Sequence, residues 1–150
     1  MKIGIAGLGV VGSACKAGFE KCGYEVVIHD PKLFTQIHEL IDTEIVYVCV
    51  PTPAKQDGTC DTSIVHEIIV ELMRQNYDGI IAIKSTIPPG TTQQFIERYS
   101  DRIVFVPEFL KELVLSMTLF LIIDYYWLVQ KMLITIMLLF AVTVTCLKVR

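Results

Sequence analysis

Much that would narrow a protein's function is missing from this chain. It carries no arginine-rich run and no basic stripe; its 13 Lys and Arg against 16 Asp and Glu leave a net charge of -3 over 150 residues. Nucleic acid is therefore not an expected partner. Its five cysteines (Cys15, Cys22, Cys49, Cys60 and Cys146) are an odd number with no Cys-x-x-Cys pair. That excludes a disulfide framework and a zinc site as organising features, and a reduced, cytoplasmic compartment fits best. The N-terminus has no secretory signal, because its apolar stretch is one strand long and runs directly into glycine. Internal repeats and low-complexity linkers are also absent.

What is present begins at once. Lys2 to Ala6 is a short apolar strand that breaks into Gly7-Leu8-Gly9-Val10-Val11-Gly12, followed by a helix-like run from Val10 to Cys22. A second strand, Glu25 to His29, ends in Asp30. Strand, glycine bend, helix and distal acid together form the dinucleotide-binding fingerprint. Gly7 makes the tight turn, Gly9 admits a pyrophosphate against the backbone, and Gly12 lets the helix pack on the strand. The pyrophosphate is expected on the first amides of the helix, around Val10 and Val11, where the helix dipole is positive. Asp30 would accept hydrogen bonds from a ribose 2'-hydroxyl and repel a 2'-phosphate, so NAD is expected rather than NADP.

The chain continues as an alternation. Strands are predicted at Lys2–Ala6, Glu25–His29, Ile45–Val50, Gly79–Lys84 and Arg102–Val106, mostly unbroken apolar runs of the kind buried on both faces of a parallel sheet. Helices are predicted at Val10–Cys22, Lys32–Leu40, Thr62–Gln75 and Thr91–Tyr99. Asp61, Thr62 and Ser63 are candidate N-caps of the third helix, and Ile64, Ile68 and Leu72 its buried stripe. The expectation is an α/β, doubly wound parallel sheet (Rossmann) of order 3-2-1-4-5, with its ligand beyond the strand ends between strands one and four.

Three segments at those strand ends stand out. Val50-Pro51-Thr52-Pro53 is stiffened by proline and keeps one hydroxyl. The second is Lys84-Ser85-Thr86-Ile87-Pro88-Pro89-Gly90-Thr91-Thr92. The third, Pro107-Glu108-Phe109-Leu110-Lys111-Glu112, sets two carboxylates four residues apart on one possible helical face. Val50, Pro51, Thr52 and Thr86 are expected to face the cofactor.

Taken in order over residues 1–112, these motifs resemble the UDP-glucose/GDP-mannose 6-dehydrogenase family of nucleotide-sugar dehydrogenases. The glycine motif is shared widely; the Lys-Ser-Thr and Pro-Glu-Phe-Leu segments in combination are specific. The resemblance implies oxidation of a sugar C6 alcohol to a carboxylate with two NAD, through a cysteine-bound thiohemiacetal and thioester. It implies that Thr86 positions the water and oxyanion network and that Glu108 lies near the cofactor and catalytic water. Phe109, Leu110 and Lys111 would line the nucleotide-sugar site, and Glu112 would serve acid–base handling of thioester hydrolysis. UDP-glucose is the expected substrate, with GDP-mannose and N-acetylhexosamine relatives sharing these motifs; homodimers are expected of the full-length family. The family's nucleophilic cysteine, lysine and asparagine lie beyond the matched region, and Cys60 reads as a semi-exposed bystander before a helix. The chain as written is expected to bind NAD without completing the oxidation. The competing readings are a membrane-tethered NAD-binding module and another hydroxyacid-type NAD dehydrogenase.

The mean hydropathy of +0.54 averages two unlike parts. From Leu113 onward only Asp124, Lys131, Lys148 and Arg150 are charged. As a membrane anchor, the blocks Leu113–Ile123 and Met132–Leu147 each fall short of the roughly 20 residues a spanning helix needs, so a membrane partner is not expected. A shifted reading frame is the favoured expectation. Taking each codon's third base as the next codon's first, residues 114–120, 125–131 and 142–149 permit, in order, segments like those the family carries next. The remaining frame forces a stop at the Met117-Thr118 junction.

Overall fold

The structure, a computed structural model, describes residues 1–107. Five parallel strands form one sheet: β1 (Lys2–Ala6), β2 (Glu25–His29), β3 (Ile45–Val48), β4 (Ile80–Ile83) and β5 (Ile103–Phe105). Three helices connect them: α1 (Val10–Lys21), α2 (Ser63–Arg74) and α3 (Thr91–Arg98). This is the doubly wound α/β architecture expected from the alternation.

The strand order differs from the expected 3-2-1-4-5: it is β2-β1-β3-β4-β5. Ile3 faces Val26 of β2 on one side and Ile45 of β3 on the other, so β2 is an edge strand and the switch point lies between β1 and β3. Composition is compatible with this order without dictating it. A central strand is buried on both faces and must be apolar throughout, as Ile45-Val46-Tyr47-Val48 is, whereas Glu25 and His29 suit an edge. The crossover from β2 to β3 passes over β1 at Gly4. A side chain there would meet Thr43 Oγ1 and Val46 Cγ2, each at 2.9 Å, and Leu40 at 3.3 Å.

That crossover also corrects the helix expected at 32–40. It is two 3-10 turns, Pro31–Leu33 and Ile37–Leu40. Phe34, at φ 58°, breaks the right-handed path between them. Gln36 and Glu39 form a reciprocal capping box on the second turn, which satisfies its first amides over a single turn.

Packing follows from face. α1 lies on one side of the sheet, presenting Gly12, Cys15 and Gly18 so that the helix approaches closely over Ile5. The larger core lies on the other side, where Val65, Ile68, Ile69 and Leu72 of α2 and Phe95 of α3 cover Val46, Val48, Ile81, Ile83 and Ile103. Each such side chain contributes about 1.5–3 kcal/mol by leaving water. Ile64, expected in the buried stripe of α2, is instead 37% exposed, and Val65 and Ile69 take its place. At the helix start Asp61 supplies the cap, its Oδ1 accepting from the Ser63 amide at 3.0 Å, while Thr62 makes no side-chain cap.

Candidate functional site at the carboxyl edge of the sheet

The bend after β1 is held from both neighbouring strands. Gly7 N–H donates to the His29 carbonyl at 2.8 Å, and the Cys49 amide donates to the Ala6 carbonyl at 2.7 Å. Gly7 has φ 93°, and a Cβ there would stand 2.7 Å from the Cys49 carbonyl oxygen, so only glycine makes this turn. A Cβ on Gly12 would run into the Gly7 carbonyl oxygen; the bare backbone is what lets α1 start this close. Gly9 is the opposite case. It is exposed, and a Cβ there would have no heavy atom within 4 Å, so open space lies before the first amides of α1. Val10 is exposed beside it, while Val11 turns inward against the Ile5 cluster.

Asp30 stands at this bend. Its Oδ2 accepts from the Leu8 amide at 2.7 Å and its Oδ1 from the Lys32 amide at 2.9 Å. These backbone donors, Leu8 first, hold its carboxyl below the usual value near 3.8, so it is anionic at neutral pH. With two lone pairs used, the carboxylate keeps acceptor capacity for further donors.

The other strand ends gather alongside. Val50 packs against the bend, its Cγ1 3.1 Å from where a Gly7 Cβ would be. Ser85, only 7% exposed, donates to the Val50 carbonyl at 2.7 Å and approaches that of Val48 at 3.3 Å, joining the ends of β3 and β4. Pro51 and Thr86 are exposed and Thr52 half-buried. The structure thus brings Gly7, Gly9, Val10, Val11, Gly12, Asp30, Val50, Pro51, Thr52 and Thr86 along one edge. Glu108, Phe109, Leu110, Lys111 and Glu112, and the whole 113–150 segment, lie outside the described residues.

Two links had no signal in the sequence. Cys60 is half-buried: its thiol donates to the Thr86 carbonyl at 3.4 Å and lies 3.8 Å from that of Thr52, and an antiparallel bridge to Ala54 closes its loop. His66 Nε2 lies 2.7 Å from the Tyr99 hydroxyl, tying α2 to the end of α3. Both depend on partners 26 and 33 residues away. A groove of about 560 Å³ lined by His29, Gln36, His38, His66, Glu67 and Arg74 shares none of the expected ligand-holding residues. Among the described residues no helix is long and apolar enough to cross a membrane.

A glycine bend with space at Gly9, an anionic carboxylate beside it and a parallel switch point are the features of a Rossmann-type, NAD-binding domain. Residues 32–118 match the UDP-glucose/GDP-mannose dehydrogenase family, NAD binding domain. The chain belongs to that family. It is 37% identical over 92 residues to a UDP-glucose 6-dehydrogenase of Rickettsia bellii, covering 56% of this chain and 21% of that protein. It is 30% identical over 137 residues to a UDP-N-acetyl-D-mannosamine dehydrogenase of Methanococcus maripaludis, covering 68% and 32%. In fold it resembles a GDP-mannose dehydrogenase of Pseudomonas aeruginosa, with a TM-score of 0.65 at 21% identity over 78% of this chain and 38% of that one. The chain therefore spans about a fifth to a third of the length of the curated relatives named here.

Proposed function

We propose that the chain is the N-terminal, NAD-binding part of a nucleotide-sugar 6-dehydrogenase whose substrate is UDP-glucose, and that these residues alone hold NAD without turning over the sugar. The observation that carries this reading is the 2.7 Å hydrogen bond from the Leu8 amide to Asp30, which sets an anionic carboxylate at the mouth of a glycine bend. NAD, when bound, supplies the hydride acceptor. The chain's own part is to bind and orient. The first amides of α1 meet the pyrophosphate across the open space at Gly9. Asp30 accepts from the ribose hydroxyls and rejects a 2'-phosphate.

The strand-end residues take the remaining roles. Val50, Pro51 and Thr52 wall the cofactor, and the exposed Thr86 orders a water at the end of β4. By motif alone, Glu108 lies near the cofactor and the catalytic water, Glu112 serves acid–base handling of thioester hydrolysis, and Phe109, Leu110 and Lys111 meet the nucleotide sugar. The apolar segment 113–150 is proposed to be a frame-shifted continuation, which sequencing the DNA downstream of Glu112 decides.

The test is calorimetric titration of the chain with NAD and NADP. NAD is expected to bind more tightly by roughly tenfold or more, because a like charge facing Asp30 is costly. Equal affinity for both, or none for NAD, would overturn the cofactor assignment. Substrate choice is tested on the protein read through a corrected frame: UDP-glucose should yield two NADH per sugar, and preference for GDP-mannose or UDP-N-acetylmannosamine would replace the sugar.

A further inference from the structure

β2 ends at His29, so the backbone of Asp30 lies past the strand and needs partners of its own. One side chain meets both of its polar groups. The Asp30 amide donates to Thr35 Oγ1 at 2.8 Å, and the same hydroxyl faces the Asp30 carbonyl at 3.3 Å. Thr35 is half-buried, and its own carbonyl lies 3.1 Å from His29 Nδ1. The chain comes back to Asp30 within five residues because Phe34 takes the left-handed conformation that often ends a helical turn. The Leu33 and Phe34 amides close that turn on the Asp30 and Pro31 carbonyls, at 2.9 and 3.2 Å.

Thr35 thus anchors Asp30 through its main chain, while the Leu8 and Lys32 amides hold the carboxylate. The two kinds of support differ. Each amide occupies a lone pair on the carboxylate, whereas the hydroxyl occupies none and leaves the remaining acceptor positions to a ligand. The Lys32 amide also belongs to the turn that Thr35 closes, so its hold on Oδ1 depends on that closure.

We infer that Thr35 is a positioning residue that sets the discrimination between NAD and NADP by keeping Asp30 in one orientation, an assignment that deepens the NAD reading and rests on it. A carboxylate meets the hydroxyls of a ribose well only when both its oxygens are held in place, because hydrogen bonds weaken steeply with angle. The same fixity makes a 2'-phosphate costly. A carboxylate free to turn from a like charge escapes most of the repulsion, which falls with distance. Loosening the turn therefore weakens the favoured cofactor and spares the disfavoured one, with Thr35 touching neither.

The experiment titrates the full chain with NAD and NADP by calorimetry, as Thr35→Val, as Thr35→Ser and as Thr35→Val combined with Asp30→Ala, with a thermal melt of each. Valine keeps the branched shape and removes the hydroxyl. Thr35 belongs to neither apolar core, so the valine chain should still melt cooperatively. Its NAD affinity should fall roughly 3- to 10-fold while NADP changes by less than about twofold, so the ratio narrows. Serine retains the hydroxyl and should hold the ratio within about twofold of wild type. With Asp30→Ala already present, valine should change NAD affinity by less than about twofold, because no carboxylate is left to aim. A purely structural role gives another pattern: partial unfolding lowers both apparent affinities by one factor and leaves their ratio as it was. An unchanged ratio in Thr35→Val, at whatever Tm, overturns the proposal. So does a serine variant that behaves as valine does, or a full valine effect without Asp30. A wild-type chain that binds no NAD, or binds both cofactors equally, overturns the NAD reading itself, and the role of Thr35 with it.

Discussion

Adding one methyl group at Gly12 and, separately, at Gly9 should divide stability from binding. At Gly12 the new Cβ would collide with the Gly7 carbonyl oxygen and lie 3.0 Å from the Gly7 carbonyl carbon and 3.4 Å from Ile5 Cγ2. Neither backbone atom can yield, because Gly7 is pinned by its bond to the His29 carbonyl and by the Cys49 carbonyl behind it. α1 must therefore retreat. Overpacking of this kind costs about 1–3 kcal/mol, here at the upper end, and the better helix propensity of alanine returns about 1. A net loss near 2 kcal/mol corresponds to a fall in Tm of roughly 8 °C at about 4 °C per kcal/mol for a domain of this size. NAD affinity should fall as well, since the first amides of α1 move with the helix.

Gly9→Ala meets nothing within 4 Å and keeps an ordinary φ of -75°. The N-cap exchange costs at most about 1 kcal/mol, so Tm should stay within about 4 °C of wild type. The methyl group nevertheless stands in the space through which a pyrophosphate must approach, and NAD affinity should drop by roughly tenfold or more. Differential scanning calorimetry and NAD titration on both variants read the two effects. If Gly12→Ala melts with the wild type, α1 is not seated on Gly7. If Gly9→Ala binds NAD as wild type does, no phosphate approaches the backbone there.

Three further outcomes follow from the same geometry. Asp30→Ala should weaken NAD by about 1–3 kcal/mol through lost charged hydrogen bonds, and unchanged affinity in calorimetry would contradict its assignment. Because the Leu8 and Lys32 amides lower the Asp30 pKa, the stability this carboxylate contributes is complete above its ordinary value near 3.8 and is lost as pH falls through the lower folded value. The Tm gap between wild type and Asp30→Asn should thus be constant from about pH 7 to 5 and close below about pH 4. A gap unchanged at pH 3 would mean that the Leu8 bond does not depend on charge. Ser85→Ala removes the donor to the Val50 carbonyl and should cost about 1 kcal/mol, near 4 °C in Tm, with a melt as high as wild type refuting the link between β3 and β4.

Local chemistry made much of this molecule legible. The bend at Gly7–Gly12 requires a residue free of Cβ at set positions, and α1, α2 and α3 fall where the alternation with the apolar strands puts them, so their bounds differ from expectation by only a residue or two. Asp30 could be placed because the chain between Gly12 and it is short enough for one helix and one strand to fix its position. The spacing of Ile64, Ile68 and Leu72 misled only in phase, because which face of α2 meets the sheet depends on how the helix is rotated over β3 and β4.

Tertiary structure alone decided the rest. Every one of the five strands was foreseen, but an apolar run does not say which neighbour it will have. β3 took the place beside β1 because Gly4 lets the crossover pass over it, a choice settled by atoms about 40 residues apart in the chain. The hydrogen bonds of Ser85 to Val50, of Cys60 to Thr86 and of His66 to Tyr99 are of the same kind. Side-chain identity determines which partners are possible; only the packed sheet brings one of them within 3 or 4 Å, because hydrogen bonding and close packing fall away over that distance.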